Sequence, residues 1–276
     1  MNGNKIEKQI QNNKLRLLYT RRPCSDLRKV ECQEPDPPSA DFPNGWGGFA
    51  DAMHVDIKVP SEHLLNGVRY DAEMQIYHLH PGRRRMPTQS VLISATDGGY
   101  NAYFDAALTA FEYEYDNNMA QCAQKRRRER RLVSDFHDIL GSEITSEFDD
   151  YTTWGEYSTE MDHPDYEEHA SEMERKLEVM IWDPHHAMLI PTIHFYRYEG
   201  SVTEPPCGEF VSWFIADVPM VISKEQLERL KTVLFTHVDP GCKRTSVHFN
   251  QSVARPIQET AGRPVYRCTW DDFGPD

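Results

Sequence analysis

The 276-residue chain lacks a hydrophobic run long enough to cross a membrane, and only 39% of its residues are hydrophobic. It also lacks an excess of basic residues, since 44 acidic and 30 basic residues give a formal net charge of −14. A general nucleic-acid binder needs positive charge to neutralise phosphates, so this composition argues against that class. The first 13 residues are polar and contain no apolar core typical of a secretory signal. We therefore expect a soluble protein with no membrane span.

Short-range cysteine pairs are absent as well. The six cysteines form no CxxC pair and no zinc-finger spacing. Their even number and the glycosylation sequon Asn250-Gln251-Ser252 are typical of an oxidising compartment, whereas six buried thiols would fit a reducing one. Of the two, the sequence favours the secretory pathway, with the protein outside the cell or in an organellar lumen.

What the chain does contain is a hairpin pattern between residues 53 and 80. Two alternating segments, residues 54–58 and 72–78, flank a turn at Asn66-Gly67. Because side chains alternate across a strand, each segment places three polar side chains on one face. The triplets are His54, Asp56 and Lys58 on the first segment and Glu73, Gln75 and Tyr77 on the second. A hairpin with such a face is predicted to build a site.

This hairpin resembles the zinc hairpin of the α-carbonic anhydrases, H-x-H-x-x-S-E-H followed by a short turn and A-E-x-H-x-x-H. The matching residues are Ser61-Glu62-His63 and Ala72-Glu73, and weaker similarities follow in the family's order at residues 198–213 and 250–258. The resemblance implies a mainly β fold with peripheral helices (α+β), built on a large twisted central sheet that is mostly antiparallel. Activity does not follow from a fold alone.

The departures from the family pattern concern the metal. The three positions of the zinc-binding histidines are occupied by Asp56, Lys58 and Gln75. A catalytic zinc site needs three deprotonated ligands and an open position for water, and an ammonium would have to lose its proton beside a dication. We therefore expect no cofactor and no ordinary zinc site. A displaced site that uses His54 and Asp56 is an alternative, although the Lys58 charge would oppose it.

Other positions keep the residues of the family's active-site scaffold. Thr203 and Glu62 match the pair that orients a zinc-bound hydroxide, and Glu73 matches a carboxylate that orients a histidine ligand. His78 matches a histidine buried beneath the site. These four residues are predicted to keep their places in the fold even if the metal is lost.

The pocket itself is predicted to differ. By resemblance, its wall is formed by Val202, Val211 and Trp213. Tyr77 stands where the family has a small aliphatic residue and would partly fill the pocket. Glu204 follows Thr203 and puts a carboxylate where a neutral hydroxyl is common. Both changes argue against CO2 hydration independently of the metal.

Lys58 is a candidate replacement for the metal. Buried carboxylates at Glu62 and Glu73 would be costly without a positive charge nearby. We hypothesise that the Lys58 ammonium is the surrogate cation, paired with Asp56 and hydrogen-bonded by Gln75. The alternative is that Lys58 reaches solvent through an open cleft.

The resemblance divides the chain into an N-terminal segment, residues 1–45, and a carbonic-anhydrase-like domain, residues 46–276. Within the domain, a charged insertion at about 116–180 contains KRRRERR at 125–131 and an acidic, tyrosine-rich stretch at 143–174. These blocks could pair within the insertion or between molecules, or the insertion could be a solvated, partly helical excursion. It is the candidate surface for an unknown protein partner, and an oligomer is possible.

Local patterns predict the remaining elements. Strands are expected at residues 15–19, 90–95, 194–198 and 209–215, and a helix is expected at 103–115. Ser223 to Gln226 reads as a capping box that opens a helix through Leu234. The resemblance also implies that Cys207 forms a disulfide with Cys24 or Cys32, and the histidines at 185 and 186 are interpreted as bystanders.

Two classes of function therefore compete. The first is a carbonic anhydrase-related protein that is inactive in CO2 hydration and acts as a binding or assembly module, favoured by residues 56, 58, 75 and 77. The second is a working carbonate dehydratase with an unusual or displaced metal, in which metal-bound hydroxide attacks CO2. The Thr203–Glu62 pair favours the second.

Overall fold

The structure is a computed structural model that describes residues 6–19, 37–42, 49–80, 85–140, 182–248, 250–260 and 262–269, with side chains undescribed from 132 to 140. In this part of the chain the dominant element is a mixed sheet of ten strands. Its strands are β1 (Ile6–Ile10), β2 (Leu15–Tyr19), β3 (Ser39–Asp41), β4 (Phe49–Lys58), β7 (Ala72–Leu79), β8 (Met86–Thr96), β9 (Phe195–Gly200), β10 (Val211–Ala216), β11 (Met220–Ser223) and β12 (Tyr266–Cys268). The short strands β5 (Leu64–Leu65) and β6 (Val68–Arg69) pair separately.

The main path of the sheet runs β1-β2-β4-β7-β8-β10-β9-β12, with β3 paired to β4 and β11 paired to β8. Strands β10 and β11 run parallel to β8, and the other pairs are antiparallel. The predicted large, mostly antiparallel sheet with peripheral helices is confirmed. Strands β1 to β3 precede residue 46 and belong to this sheet, whereas the division of the chain at that residue stays a prediction.

The predicted hairpin is formed by β4 and β7 at the centre of the sheet. Its tip carries β5 and β6, joined by a turn at Asn66 and Gly67, both of which have positive φ angles (53° and 78°). Met53 is an extra residue in β4, because the pairing steps from Ala52–His78 to His54–Tyr77. Beyond this bulge the register is regular and brings the two polar triplets opposite each other.

Two helices pack on the other face of the sheet. Helix α1 (Ala102–Leu140) begins at Asn101, whose Oδ1 accepts hydrogen bonds from the backbone N–H of Tyr103 (3.1 Å) and Phe104 (3.0 Å). Helix α2 (Lys224–Thr236) begins with the predicted capping box of Ser223 and Gln226. The Gln226 amide also donates to the Asn101 carbonyl (2.9 Å), so the starts of the two helices are tied together.

Helix α1 is longer than the predicted helix at 103–115. It continues to Leu140, so the charged insertion expected from residue 116 begins as helix, which agrees with the alternative of a partly helical excursion. Residues 102–140 contain no glycine or proline, and nothing in that stretch breaks the helical hydrogen-bond ladder. The acidic stretch 143–174 lies outside the described residues.

The core lies between the sheet and these helices. Val55, Ile57 and Met74 project from the face of the hairpin opposite the polar triplets and pack in one buried cluster with Phe104 and Phe111 of α1. Full burial of such a side chain contributes about 1.5–3 kcal/mol. Packing on this face therefore anchors the hairpin and holds its other face in place. None of the described helices has the length and apolar character required to span a bilayer.

The described part of the chain contains a disulfide, as the sequence allowed, but between two cysteines that were not predicted to pair. Cys122 near the middle of α1 is bonded to Cys242, 120 residues later. Cys207, predicted to pair with Cys24 or Cys32, has a free thiol, and its two expected partners lie outside the described residues. The predicted pairing of Cys207 is therefore wrong in this structure. A cysteine count restricts the number of bridges but not which residues the fold brings together.

Candidate functional site

The polar triplets of β4 and β7 form three cross-strand pairs on one face: His54–Tyr77, Asp56–Gln75 and Lys58–Glu73. We call these six residues the charged floor. Asp56, Lys58, Glu73 and Gln75 are each no more than 1% exposed. Because buried polar groups are costly unless they are bonded, the partners of each group determine what the floor can do.

Lys58 is the last residue of β4 and belongs to the terminal pair of the floor, opposite Glu73. Its Nζ donates hydrogen bonds to Glu62 Oε2 (2.7 Å) and to Thr203 Oγ1 (2.6 Å). The ammonium thus lies between the two residues that resemble the hydroxide-orienting pair of the family. The alternative that Lys58 reaches solvent is wrong, since its side chain is 1% exposed.

The predicted partners of Lys58 are also corrected. Asp56 is bound by Arg16, which donates from Nε to Oδ1 (2.6 Å) and from Nη2 to Oδ2 (2.8 Å). Lys14 Nζ lies 3.6 Å from the same carboxylate. Burial raises the pKa of Asp56, but the Arg16 hydrogen bonds and the charges of Lys14 and Arg16 outweigh it, so the pKa is lowered overall. Strand β2 brings in these cations because Arg16 pairs with Asp56 across the sheet.

Glu73 is the most heavily bonded group of the floor. Its Oε2 accepts from the backbone N–H of Glu62 (2.7 Å) and His63 (2.9 Å). Its Oε1 contacts His63 Nδ1 (2.6 Å), Gln75 Nε2 (2.8 Å) and Ser90 Oγ (2.8 Å). Burial alone would raise the pKa of Glu73, but the His63 charge and these hydrogen bonds lower it to about 2. Glu73 is therefore a carboxylate at neutral pH.

His63 is the counter-charge of Glu73. Burial lowers the pKa of His63, but the Glu73 carboxylate acts in the opposite sense and raises it above the ordinary value. The second ring nitrogen, Nε2, lies 2.8 Å from the Tyr198 hydroxyl. This pair favours the imidazolium form of His63, with one N–H toward Glu73 and the other toward Tyr198.

Gln75 connects the carboxylates rather than Lys58. Its Nε2 donates to Glu62 Oε2 (3.1 Å) and Glu73 Oε1 (2.8 Å), and its Oε1 accepts from the Tyr77 hydroxyl (2.9 Å). Both donors and the acceptor of the amide are thus used, and the expected hydrogen bond to Lys58 is not made in this arrangement.

Tyr77 is the member of the floor that contacts the apolar wall. It packs with Val211 and Trp213 in one buried cluster, against which Val202 lies. His54 stacks on its ring at 4.5 Å between centroids. Gly200 allows the rings of Tyr198 and Trp213 to lie close to the backbone, because a Cβ there would lie 2.8 Å from the Tyr198 ring and 3.0 Å from the Trp213 ring. The three residues that resemble the CO2 pocket therefore lie in, or against, the cluster that contains Tyr77.

Glu204, which follows Thr203 and which we call the rim of the site, is also held by a charged partner. Glu204 bonds with Lys14 and accepts a hydrogen bond from Asn13 Nδ2 (3.1 Å). Burial raises the pKa of Glu204, but the Lys14 bond and charge outweigh it and lower the pKa overall. Both partners come from the turn between β1 and β2, which therefore reaches across to the Thr203 loop.

His78 follows Tyr77 on β7, so its side chain points to the opposite face of the strand, where it is fully buried. Its Nδ1 is 3.2 Å from the Pro87 carbonyl oxygen, and its Nε2 is 2.8 Å from Nε2 of His185. Burial and the neighbouring His185 lower the pKa of His78 to about 3. His185, interpreted from the sequence as a bystander, stacks on His78 with ring centroids 5.1 Å apart.

Sequence reasoning missed three charged members of the site: Lys14, Arg16 and His63. A signal for the first two was present, because Lys14 and Arg16 alternate with Leu15 and Leu17 and must therefore share a face of β2. Which strand they would face was not visible locally. With these residues the site contains four carboxylates (Asp56, Glu62, Glu73, Glu204) and four basic groups (Lys14, Arg16, Lys58, His63), each paired with at least one group of the opposite kind.

Comparison with known proteins agrees with this architecture. Residues 143–269 match the family model described as eukaryotic-type carbonic anhydrase. Over these residues the chain is similar to the α-carbonic anhydrases. Human carbonic anhydrase 12 is 43% identical over 76 residues, 27% of this chain and 20% of that protein. Mouse mitochondrial carbonic anhydrase 5B is 36% identical over 93 residues, 33% of this chain and 27% of that protein.

The alignments thus span about a quarter of the length of these curated relatives, with 27% as the larger of the two shares. Among solved structures, dioscorin complexed with ascorbate has a TM-score of 0.52 at 15% identity, covering 95% of this chain and 77% of that one. The α-carbonic anhydrase of Thermovibrio ammonificans, in complex with sulfanilamide, has a TM-score of 0.50 at 15% identity, covering 96% and 75%. At this identity the likeness concerns the fold.

The residues at the family's metal position do not fit zinc. Within the described ranges, no three His, Cys, Asp or Glu side chains are grouped so as to hold a metal ion. Asp56 is occupied by Arg16, and both polar ends of the Gln75 amide are already hydrogen-bonded. Unit charges about 4 Å apart repel by about 4 kcal/mol at a typical effective protein dielectric, and a dication beside the Lys58 ammonium would double this.

Proposed function

We propose that this protein is a carbonic anhydrase-related protein that does not hydrate CO2, in which the Lys58 ammonium takes the structural place of the metal ion. The observation that supports this is the position of Lys58 Nζ, 2.7 Å from Glu62 and 2.6 Å from Thr203. In such an arrangement the hydroxide-orienting pair is engaged by a fixed cation and has no reactive oxygen to orient.

The rest of the site supports the same proposal. Tyr77 packs with Val211 and Trp213 and its hydroxyl is held by Gln75, which supports the proposal that this ring takes the space that CO2 would need. Burial raises the pKa of this hydroxyl well above its usual value, so it stays a neutral hydrogen-bond donor. A floor with these fixed hydrogen bonds is suited to a structural role rather than to proton transfer.

The proposed role is therefore binding or assembly. The charged insertion at about 116–180 is the part of the chain that the family resemblance does not explain, and it is our candidate for contact with a protein partner. The Cys122–Cys242 disulfide supports a location in the secretory pathway or an organellar lumen, since disulfides persist in oxidising compartments.

Metal content and CO2 hydration test the proposal directly. The purified full chain is expected to contain no stoichiometric zinc and to hydrate CO2 at the buffer rate, with or without added Zn2+. Stoichiometric zinc together with turnover would contradict the proposal and favour a displaced metal site.

A gain-of-function variant sharpens this test. The changes Asp56→His, Lys58→His and Gln75→His restore the family's ligand set, and Tyr77→Val reopens the pocket. We expect zinc binding and measurable CO2 hydration in this variant and neither of them in the parent protein. The matched control adds Thr203→Val, which should leave zinc binding intact and reduce hydration. Equal activity with and without Thr203 would indicate hydration by loosely bound zinc instead.

A further inference from the structure

The second charged region of the molecule lies on helix α1, beyond the disulfide. Cys122 is 3% exposed and is the last buried side chain of α1 among those described. Every described side chain from residue 123 to 131 is exposed. We call residues 124–131 the basic arm, because it contains six cations and a single carboxylate, Glu129: Lys125, Arg126, Arg127, Arg128, Arg130 and Arg131.

The arm as a helix has an electrostatic problem. Arg126 and Arg130 are four residues apart, as are Arg127 and Arg131, and like charges at this spacing destabilise a helix. Gln124 and four arginines line a cavity of about 430 Å3. Among the described residues the structure gives no ion pair to any of these arginines. A helix that is polar on every side needs such pairs or a partner.

The connectivity of the chain suggests a partner for the basic arm. After α1 ends at Leu140, the next described residue is Trp182, whose Nε1 donates to the carbonyl of Tyr103 (3.2 Å). Tyr103 lies in the first turn of α1, and 37 residues of helix at about 1.5 Å rise each measure roughly 55 Å. Residues 141–181 therefore connect the end of α1 with a residue that contacts its first turn.

The segment that connects these two points of the chain carries the complementary charge. Residues 143–174 contain no lysine or arginine and 12 acidic residues: Glu143, Glu147, Asp149, Asp150, Glu156, Glu160, Asp162, Asp165, Glu167, Glu168, Glu172 and Glu174. Because both ends are tethered to α1, its effective concentration at the arm is of order millimolar. An external polyanion would instead meet a chain with a net charge of −14.

We propose that the basic arm is the docking surface for the acidic stretch 143–174 of the same chain. Arg127, Arg128 and Arg131 form the centre of this surface, since their spacing of three and four residues places them on one side of α1. The carboxylates supply the counter-charge that keeps this part of α1 helical. The two charge blocks of the insertion then form one unit, with no second molecule required.

Amide hydrogen exchange of the full chain tests this assignment. In the variant Arg127→Glu, Arg128→Glu, Arg131→Glu, and separately in Asp165→Asn, Glu167→Gln, Glu168→Gln, the amides of residues 124–131 should exchange at least tenfold faster than in the parent. Raising the salt concentration to 1 M should have a similar effect on the parent. A charge swap that combines the three arginine changes with Asp165→Lys, Glu167→Lys and Glu168→Lys should restore part of the protection.

The matched control changes three exposed or half-exposed lysines elsewhere, Lys224→Glu, Lys231→Glu and Lys243→Glu, and should leave exchange at the arm unchanged. Three results would overturn the proposal. Exchange at the arm could be indifferent to the acidic stretch. Protection could depend on protein concentration, which would assign the arm to a second copy. The parent could bind heparin at physiological salt as tightly as the acid-neutralised variant, which would show that the arm is open to external polyanions.

Discussion

The charged floor and the basic arm both concentrate charge, but they treat it in opposite ways. In the floor, Lys58 is 1% exposed and has two partners within 2.7 Å. In the arm, six cations stand in solvent on a helix with one carboxylate. The floor balances its charges within the hairpin and its neighbouring strands, whereas the arm depends on a stretch of chain that lies elsewhere.

This difference teaches where charge can be lost. Removing one member of a buried pair leaves the other desolvated without a partner, whereas an exposed charge is screened by water and salt. Substitutions in the floor should therefore affect global stability strongly, and substitutions in the arm weakly.

Lys58→Met should destabilise the protein by about 3–5 kcal/mol, because Glu62 loses the buried cation that neutralises it. Urea unfolding followed by tryptophan fluorescence measures the change. The control Lys224→Met removes a lysine that is 64% exposed and paired with an exposed Asp97, so it should cost no more than about 1 kcal/mol. Equal losses in both variants would contradict the contrast between buried and exposed charge.

Acid should weaken the floor through His54. Burial lowers the pKa of His54 to about 4, against the charge of Asp56, while Arg16 and Lys14 add to the lowering. A histidine whose folded pKa lies below its unfolded value of 6.5 contributes stability above pH 6.5 and loses it as pH falls toward 4. The full loss is about 3 kcal/mol. His78, with a pKa of about 3, should add to it in the same direction.

The measurement is the free energy of unfolding between pH 7 and pH 4, in the parent and in His54→Phe. The phenyl ring preserves the stacking on Tyr77 and removes the titrating group, so the variant should lose about 3 kcal/mol less over this range. An identical pH dependence in the two proteins would show that His54 is not held neutral.

Glu204→Gln should have an intermediate effect, a loss of about 1 kcal/mol, because Lys14 is buried while Glu204 is partly open to solvent. The side-chain exposures are 1% for Lys14 and 37% for Glu204. The control Glu209→Gln affects a carboxylate that is 69% exposed and should change stability less. The reverse order would mean that the rim contributes nothing.

Arg128→Glu in the arm should have the smallest effect, about 0.5 kcal/mol, and the loss should shrink further at high salt. Lys243→Glu is the control for the change of charge. A loss of stability as large as that of Lys58→Met would contradict the view that the exposed charges of the arm contribute less to stability than the buried charges of the floor.

Much of the fold was visible locally. The alternation of polar and apolar residues predicted the β4–β7 hairpin, and the Ser223 to Gln226 capping box predicted the start of α2, because both patterns act over a few residues. The length of α1 was underestimated, since a change from apolar to charged composition at residue 116 does not stop a helix that contains no glycine or proline. The disulfide of Cys122 depends on a contact across 120 residues, which no local pattern encodes.

The sequence by itself determined the family resemblance, the residues at the three positions that match the family's zinc ligands, and the face on which they lie, because a strand's alternation is a property of the chain. Only the tertiary structure decided the partners: Lys58 with Glu62 and Thr203, and Asp56 with Arg16. Neighbouring charges in a buried site compete for the same counter-ions. The outcome depends on which strands the sheet places side by side, and here that is the pairing of β2 with β4.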